Sequence, residues 1–253
     1  MTAIDTQEEW RLLIGGEWVA PADTYEIVDP NTTCPVGHAP DATVADADSA
    51  VAAATSAQAA WGAMPMEERC GYLARLADVL EERMEQWVPL VQAETGATLR
   101  VAGTMQVGGP TIDRFRYYST PRDIDSPERP APVGATALGP AGLVGAMVHR
   151  RPVGVVVCIT PYNFPIINVA GKIAPALAMG NTCIIKPAPQ DPLGILRLGE
   201  AIVEAGFPPG VVNILTARGP EVPAALVASP DVDMVSFTGS SAVGASIYAA
   251  GAA

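Results

Sequence analysis

Four apolar runs in the second half of the chain, each followed by a stretch of helical periodicity, limit its possible folds more than any other feature. Val153–Ile159, Asn181–Ile185, Val211–Leu215 and Val232–Phe237 are rich in β-branched residues and continuous rather than alternating. Between them lie Ile166–Met179, Pro192–Ala205 and Glu221–Val227, with a further helical pattern from about Ser241. A strand that is apolar throughout is buried on both faces, and strands of that kind separated by helices pack as a parallel sheet with helices on either side. The predicted class is therefore α/β with a doubly wound sheet. Ligands of such sheets gather at the carboxyl ends of the strands, where helix N-termini present backbone amides. That directs attention to the loops after Ile159, Ile185, Leu215 and Phe237.

The first half reads differently. Arg11 to Val19 places Gly15-Gly16 between two short apolar runs, which is hairpin chemistry, and Tyr25–Val28 is a further strand before the turn at Asp29-Pro30-Asn31. Two helices should follow. Asp46–Trp61 is alanine-rich, and Met66–Glu94 spaces Leu73, Leu76, Leu80, Met84, Trp87 and Val91 three or four apart, opposite Glu81, Glu82 and Glu85. One such stripe is a face that packs into a core. Prolines at 121, 127, 130, 132 and 140 then interrupt regular structure, as a crossing or linker would.

Composition excludes several classes. With 15 Lys+Arg against 27 Asp+Glu and a net charge of −12, the chain is a poor partner for nucleic acid. Gly154 to Gly171 runs 18 residues without a charge, close to a bilayer span. Pro161, Asn163, Pro165 and Asn168 fall inside that stretch, so a buried strand and a turn are expected there, not a membrane helix. The start is polar and acidic, without the basic and apolar regions of a secretory signal, which predicts a cytoplasmic protein. Cys34, Cys70, Cys158 and Cys183 form no C-x-x-C pair, as expected of reduced thiols. Cys34 and His38 lack a third group for a metal, so no metal site is expected.

Three local segments could carry chemistry. Val235-Ser-Phe-Thr-Gly-Ser240 runs from a strand into a small-residue turn where Gly239 allows close approach and Ser240 can cap the next helix. Its spacing to Gly244 resembles a triphosphate loop, but Ala245 stands where the lysine belongs, so a diphosphate held by amides fits better than ATP. Ile159-Thr-Pro-Tyr-Asn-Phe-Pro165 places Asn163 where a side-chain amide could stabilise an oxyanion or merely satisfy the turn. Lys186 ends the second strand, where a ribose or phosphate partner would be needed.

Together these segments resemble the N-terminal half of an NAD(P)-dependent aldehyde dehydrogenase. The likeness is carried by Arg151-Pro-Val-Gly-Val-Val, Thr160-Pro-Tyr-Asn-Phe-Pro, Ala176-Leu-Ala-Met-Gly-Asn181, Ile185-Lys-Pro-Ala-Pro, Ala205-Gly-Phe-Pro-Pro-Gly-Val-Val-Asn213 and Ser236-Phe-Thr-Gly-Ser240. Ile14-Gly-Gly-Glu-Trp-Val19, Asp29-Pro30, Trp61 with Glu68-Arg69, and Glu94-Thr-Gly96 agree with it. The resemblance implies an incomplete Rossmann-type sheet. Residues 1–118 and 151–253 would form the cofactor-binding domain, and 119–150 part of an oligomerisation arm. It also implies roles: Asn163 in the oxyanion hole, Lys186 on the adenosine ribose, and Gly219, Phe237, Thr238, Gly239, Ser240 and Val243 around adenine and pyrophosphate. Ile159, Thr160, Pro161 and Tyr162 would flank the nicotinamide side. Pro189 stands where many members carry a glutamate that repels a 2′-phosphate, so the cofactor is NAD or NADP.

The family's nucleophilic cysteine, in Gly-Gln-x-Cys, and its general base, in Glu-Leu-Gly-Gly, are both absent from this sequence. The chain alone is therefore expected to be inactive, as a truncated segment of such an enzyme or as one half of a split enzyme whose catalytic half a second chain supplies. An open sheet edge would otherwise leave it self-associating, as a homo-oligomer or aggregate. A non-catalytic nucleotide-binding subunit and the acylating, coenzyme-A-dependent branch are the alternatives. The substrate would be a small aldehyde, with Met105, Gln106 and Phe164 as the nearby residues shaping its tunnel.

Overall fold

A computed structural model describes residues 4–121, 128–131, 133–134 and 143–251. The chain opens with a hairpin, β1 (Leu12–Ile14) and β2 (Glu17–Val19), turned by Gly15 and Gly16, both with φ in the left-handed region. β3 (Asp23–Val28) pairs antiparallel with β4 (Pro35–Asp41) as a separate ribbon. Helix α1 (Val44–Ala63) starts at a capping box, in which Asp46 N donates to Thr43 Oγ1 and Thr43 N donates to Asp46 Oδ2. Helix α2 (Met66–Thr95) ends at Gly96, whose φ of 68° supplies the left-handed residue that terminates it. Its expected stripe is buried from Leu73 to Val91, with Met84 half-buried and Glu81, Glu82 and Glu85 exposed.

A π-helical stretch (Val101–Val107) and α3 (Gly109–Tyr118) follow. Of the expected arm, 119–150, residues 122–127, 132 and 135–142 lie outside the described residues. Within it β5 (Val133–Gly134) pairs antiparallel with β6 (Leu143–Val144), and Glu128 bridges to Val148. The remainder alternates as the apolar runs predict: β7 (Val155–Ile159), α4 (Pro165–Ala178), β8 (Thr182–Lys186), α5 (Leu193–Glu204), β9 (Val212–Ile214), α6 (Glu221–Ala228), β10 (Met234–Phe237) and α7 (Ser241–Gly251).

The main sheet has six strands in the order β10-β7-β8-β9-β1-β2. The first four are parallel, and the N-terminal hairpin closes the far side antiparallel, through Leu13 opposite Ile214. Successive residues of β7 and β8 serve opposite faces. Val155, Val157 and Ile184 pack with α1 and α6, whereas Val156, Cys158, Cys183 and Ile185 pack with α2, α4 and α5. Two cores on one sheet explain why β7 has no polar position and why the middle of β8, Cys183–Ile185, has none. β10 is paired only with β7 among the described residues, Met234 is exposed, and α7 buries no residue. None of the described helices is long and apolar enough to cross a membrane.

Candidate functional site

Parallel pairing brings the ends of three strands to one level. Ile159 at the end of β7 is the direct partner of both Phe237 on β10 and Lys186 on β8. The ladder runs one residue further, because Thr238 N donates to Ile159 O at 3.1 Å and Thr160 N donates to Lys186 O at 3.2 Å. The loops that hold the candidate residues therefore leave the sheet on the same edge, as the sequence predicts for a strand-end site.

Each residue has its own local reason. Lys186 is 4% exposed, and its Nζ donates to Pro187 O at 2.8 Å. Burial pushes its ammonium down to about 8, partly offset by the Asp41 carboxylate. Thr160 is buried with its hydroxyl unpartnered, a donor facing no protein group. The Asn163 Oδ1 accepts from Phe164 N at 3.1 Å, which orients the exposed amide and leaves its N–H groups available to a ligand. At Gly239 a Cβ would stand 2.5 Å from the Phe237 ring, so only glycine lets this turn close over that ring. Ser240 caps α7 by accepting from Val243 N at 3.4 Å.

The remaining residues spread over neighbouring clefts. Pro161 is half-buried, Tyr162 is exposed, and Tyr162 and Pro189 border a cleft of about 490 Å³. Gly219 borders another of about 420 Å³ beside Asp41 and Arg218. Val243 is exposed on α7. A third cleft, about 440 Å³, lies between Phe164 and Thr238, with α3 and α4 as its walls. Met105 lines it as expected, but Gln106 is fully buried.

Two groups escaped the sequence reading. Lys172, from α4, donates to Thr238 Oγ1 at 2.8 Å and Ser236 Oγ at 3.2 Å, so it ties the helix to the end of β10. Burial lowers its pKa, with the nearby Cys158 opposing. Its signal was a lone cation inside the otherwise apolar Pro165–Ala178. The second is a buried carboxyl pair. Glu94 accepts from Leu193 N at 2.8 Å and Gly194 N at 2.7 Å, at the start of α5. Burial raises Glu94 to about 8, while those amides favour its charged form. Burial and the nearness of Glu94 raise Asp191 to about 9. The two amides favour the charged form of Glu94, and burial beside it favours the protonated form of Asp191.

A raised carboxyl pKa ties stability to pH with a definite sign. The Asp191 carboxyl ordinarily titrates near 3.8 and here near 9, so its contribution is complete below the lower value and is lost as pH rises toward the upper. Thermal melts should show the contribution falling across the interval from about pH 4 to 9. Asp191→Asn, which is neutral throughout, should flatten that slope. Parallel slopes in the two proteins would refute the assignment.

Comparison with known proteins decides the kinship. The model of the aldehyde dehydrogenase family matches residues 18–253. The chain belongs to the aldehyde dehydrogenase family. Phenylacetaldehyde dehydrogenase of Pseudomonas fluorescens is 40% identical over 92% of this chain and 47% of its own. The peroxisomal aminoaldehyde dehydrogenase 2 of Pisum sativum is 38% identical over 96% of this chain and 48% of its own. Among solved structures, an NAD+ complex of aldehyde dehydrogenase from Bacillus cereus superposes with a TM-score of 0.85 at 35% identity, over 97% of this chain and 49% of that one. The chain thus spans about half the length of the aldehyde dehydrogenases it matches. Its Rossmann-like sheet is that of the family.

Proposed function

We propose that this chain is the dinucleotide-binding half of an aldehyde-oxidising enzyme and takes NAD or NADP at the shared ends of β7, β8 and β10. The observation that carries the reading is the register of Phe237, Ile159 and Lys186. It gathers a buried ammonium, the unpartnered Thr160 hydroxyl and the Gly239-Ser240 entrance to α7 on one edge. Lys186 would hold the ribose hydroxyls, and the amides after Gly239 the pyrophosphate. Residues 1–118 and 151–253 would make up this domain, with 119–150 as an oligomerisation arm. When bound, the nicotinamide supplies a hydride acceptor. The Asn163 amide would stabilise negative charge on the aldehyde oxygen when a thiolate adds to its carbon.

That thiolate must come from elsewhere. Cys158 and Cys183 lie buried in strands and Cys70 in α2, and hydrogen bonding with Cys158, together with burial, raises the Cys183 thiol well above its ordinary value. Cys34 is exposed in a turn and bonds locally to Thr32. In this reading the nucleophile and the base lie outside these 253 residues, and a reducing, cytoplasmic setting suits the free thiols.

Titration of NAD and NADP into the purified chain tests the site. A dinucleotide should bind, and Lys186→Ala should weaken it by about tenfold, the loss of one charge-assisted hydrogen bond. Folded protein that takes up neither dinucleotide at millimolar concentration would overturn the reading. Addition of an aldehyde should produce no reduced nicotinamide, and turnover by the chain alone would place the nucleophile within it.

A further inference from the structure

The two relatives named above act, by their names, on a neutral and an amine-bearing aldehyde, so kinship leaves the substrate open. The cleft between Phe164 and Thr238 is more selective. Its lining includes Arg114 from α3 and Lys172 from α4, and no carboxylate. The Arg114 Nη1 donates to Ile167 O at 2.9 Å, which anchors the guanidinium on α4. The group lies over Gly171, where a Cβ would stand 3.5 Å from the guanidinium carbon, so a bulky side chain at that position would compete for its place.

Arg114 places its charge at a cleft whose lining holds no carboxylate. The chain carries 27 acidic residues against 15 basic ones. Arg116, two residues on in the same helix, holds Asp78 and Glu81, and Arg197 holds Glu8 and Glu200. Arg114, half-buried, forms no ion pair among the described residues. A planar fork held by one backbone carbonyl in the lining of a cleft has further donors with which to take a carboxylate.

We infer that the enzyme formed with this chain acts on an aldehyde that also carries a carboxylate, and that Arg114 is the residue that selects it. The inference rests on the function proposed above, in which the carbonyl lies at Asn163. Phe164, the next residue, lines the cleft, so a short acyl chain runs from that amide past Met105 and Phe164. Its far carboxylate meets Arg114. Lys172, at the Thr238 end, adds a second positive charge and disfavours a cationic aldehyde.

Succinic semialdehyde, butanal and betaine aldehyde, titrated separately into the full chain, separate the alternatives. Succinic semialdehyde should bind about tenfold tighter than butanal, and betaine aldehyde weakest of the three. Arg114→Met should erase the preference over butanal while NAD affinity and melting temperature stay as they were. Arg114→Lys, which keeps the charge but loses the fork, should retain part of it. Equal binding of the anionic and neutral aldehydes, a preference that survives in Arg114→Met, or no uptake of the semialdehyde at 10 mM, roughly a Kd beyond useful recognition, would overturn the inference. Loss of NAD binding with the preference intact would instead overturn the cofactor assignment and leave Arg114 in its role.

Discussion

Replacing Glu94 by alanine is expected to lower the melting temperature by roughly 6–12 °C, from a cost of about 3 kcal/mol at about 2–4 °C per kcal/mol for a chain of this size. Helix α5 follows Pro192, which offers no side-chain cap, so the first amides of the helix depend on a distant acceptor. Glu94, at the end of α2, supplies both oxygens to Leu193 and Gly194 from a side chain that is 3% exposed. Alanine would leave the Leu193 and Gly194 N–H groups, both on buried residues, without their acceptor. Glu94→Gln retains the volume and one good acceptor and should lose about half as much. A fall of less than about 2 °C in the alanine variant would show that the clamp contributes little. The effect should reach the cofactor edge, because Pro189 and Asp191 link Lys186 to this helix.

Trp61→Ala should cost about 3–5 kcal/mol in chemical denaturation, the range for emptying a large aromatic site. Trp61 is 1% exposed at the end of α1 and meets Tyr72 at 5.5 Å and Phe207 at 5.8 Å between ring centroids, with those two 5.4 Å apart. Three rings thus join α1, α2 and the turn after α5. The indole Nε1 is buried without a partner, so Trp61→Phe loses area but also relieves an unsatisfied donor and should cost less than half as much. A cost below about 1 kcal/mol for alanine would mean that the cluster collapses into the vacated space.

The parallel half of the fold is readable in sequence because both faces of β7 and β8 are buried, so burial writes itself into consecutive positions. Helix ends were equally plain where one residue does the capping, as at Ser240. β4 was not, since Pro35, Gly37 and Pro40 are poor strand residues and its pairing with β3, with an irregular step at Ile27/Val28, is decided by the partner. Gly103, Gly108, Gly109 and Pro110 are poor helix formers. Yet a helix forms from Gly109, because proline is tolerated in a first turn and Thr111, Ile112 and Phe115 bury its inner face. The addition of β1 to β9 is equally invisible, as it depends on Asn213 Oδ1 accepting from Gly15 N across the gap. At the site, turn residues stand out by their chemistry, whereas Lys172, Arg114 and Glu94 look like ordinary solvated charges until neighbouring helices enclose them.

That long reach from Gly15 to Asn213 spans 198 residues. During synthesis at about 5–20 residues per second, the first hairpin waits roughly 10–40 s for the strand it must join. Until then it offers a bare row of amides and carbonyls to whatever the nascent polypeptide meets. Premature release from the ribosome, or any pause before Val212–Ile214 emerges, leaves the opening segment without its mate, so soluble yield should track elongation speed and chaperone supply more closely than final thermodynamic stability.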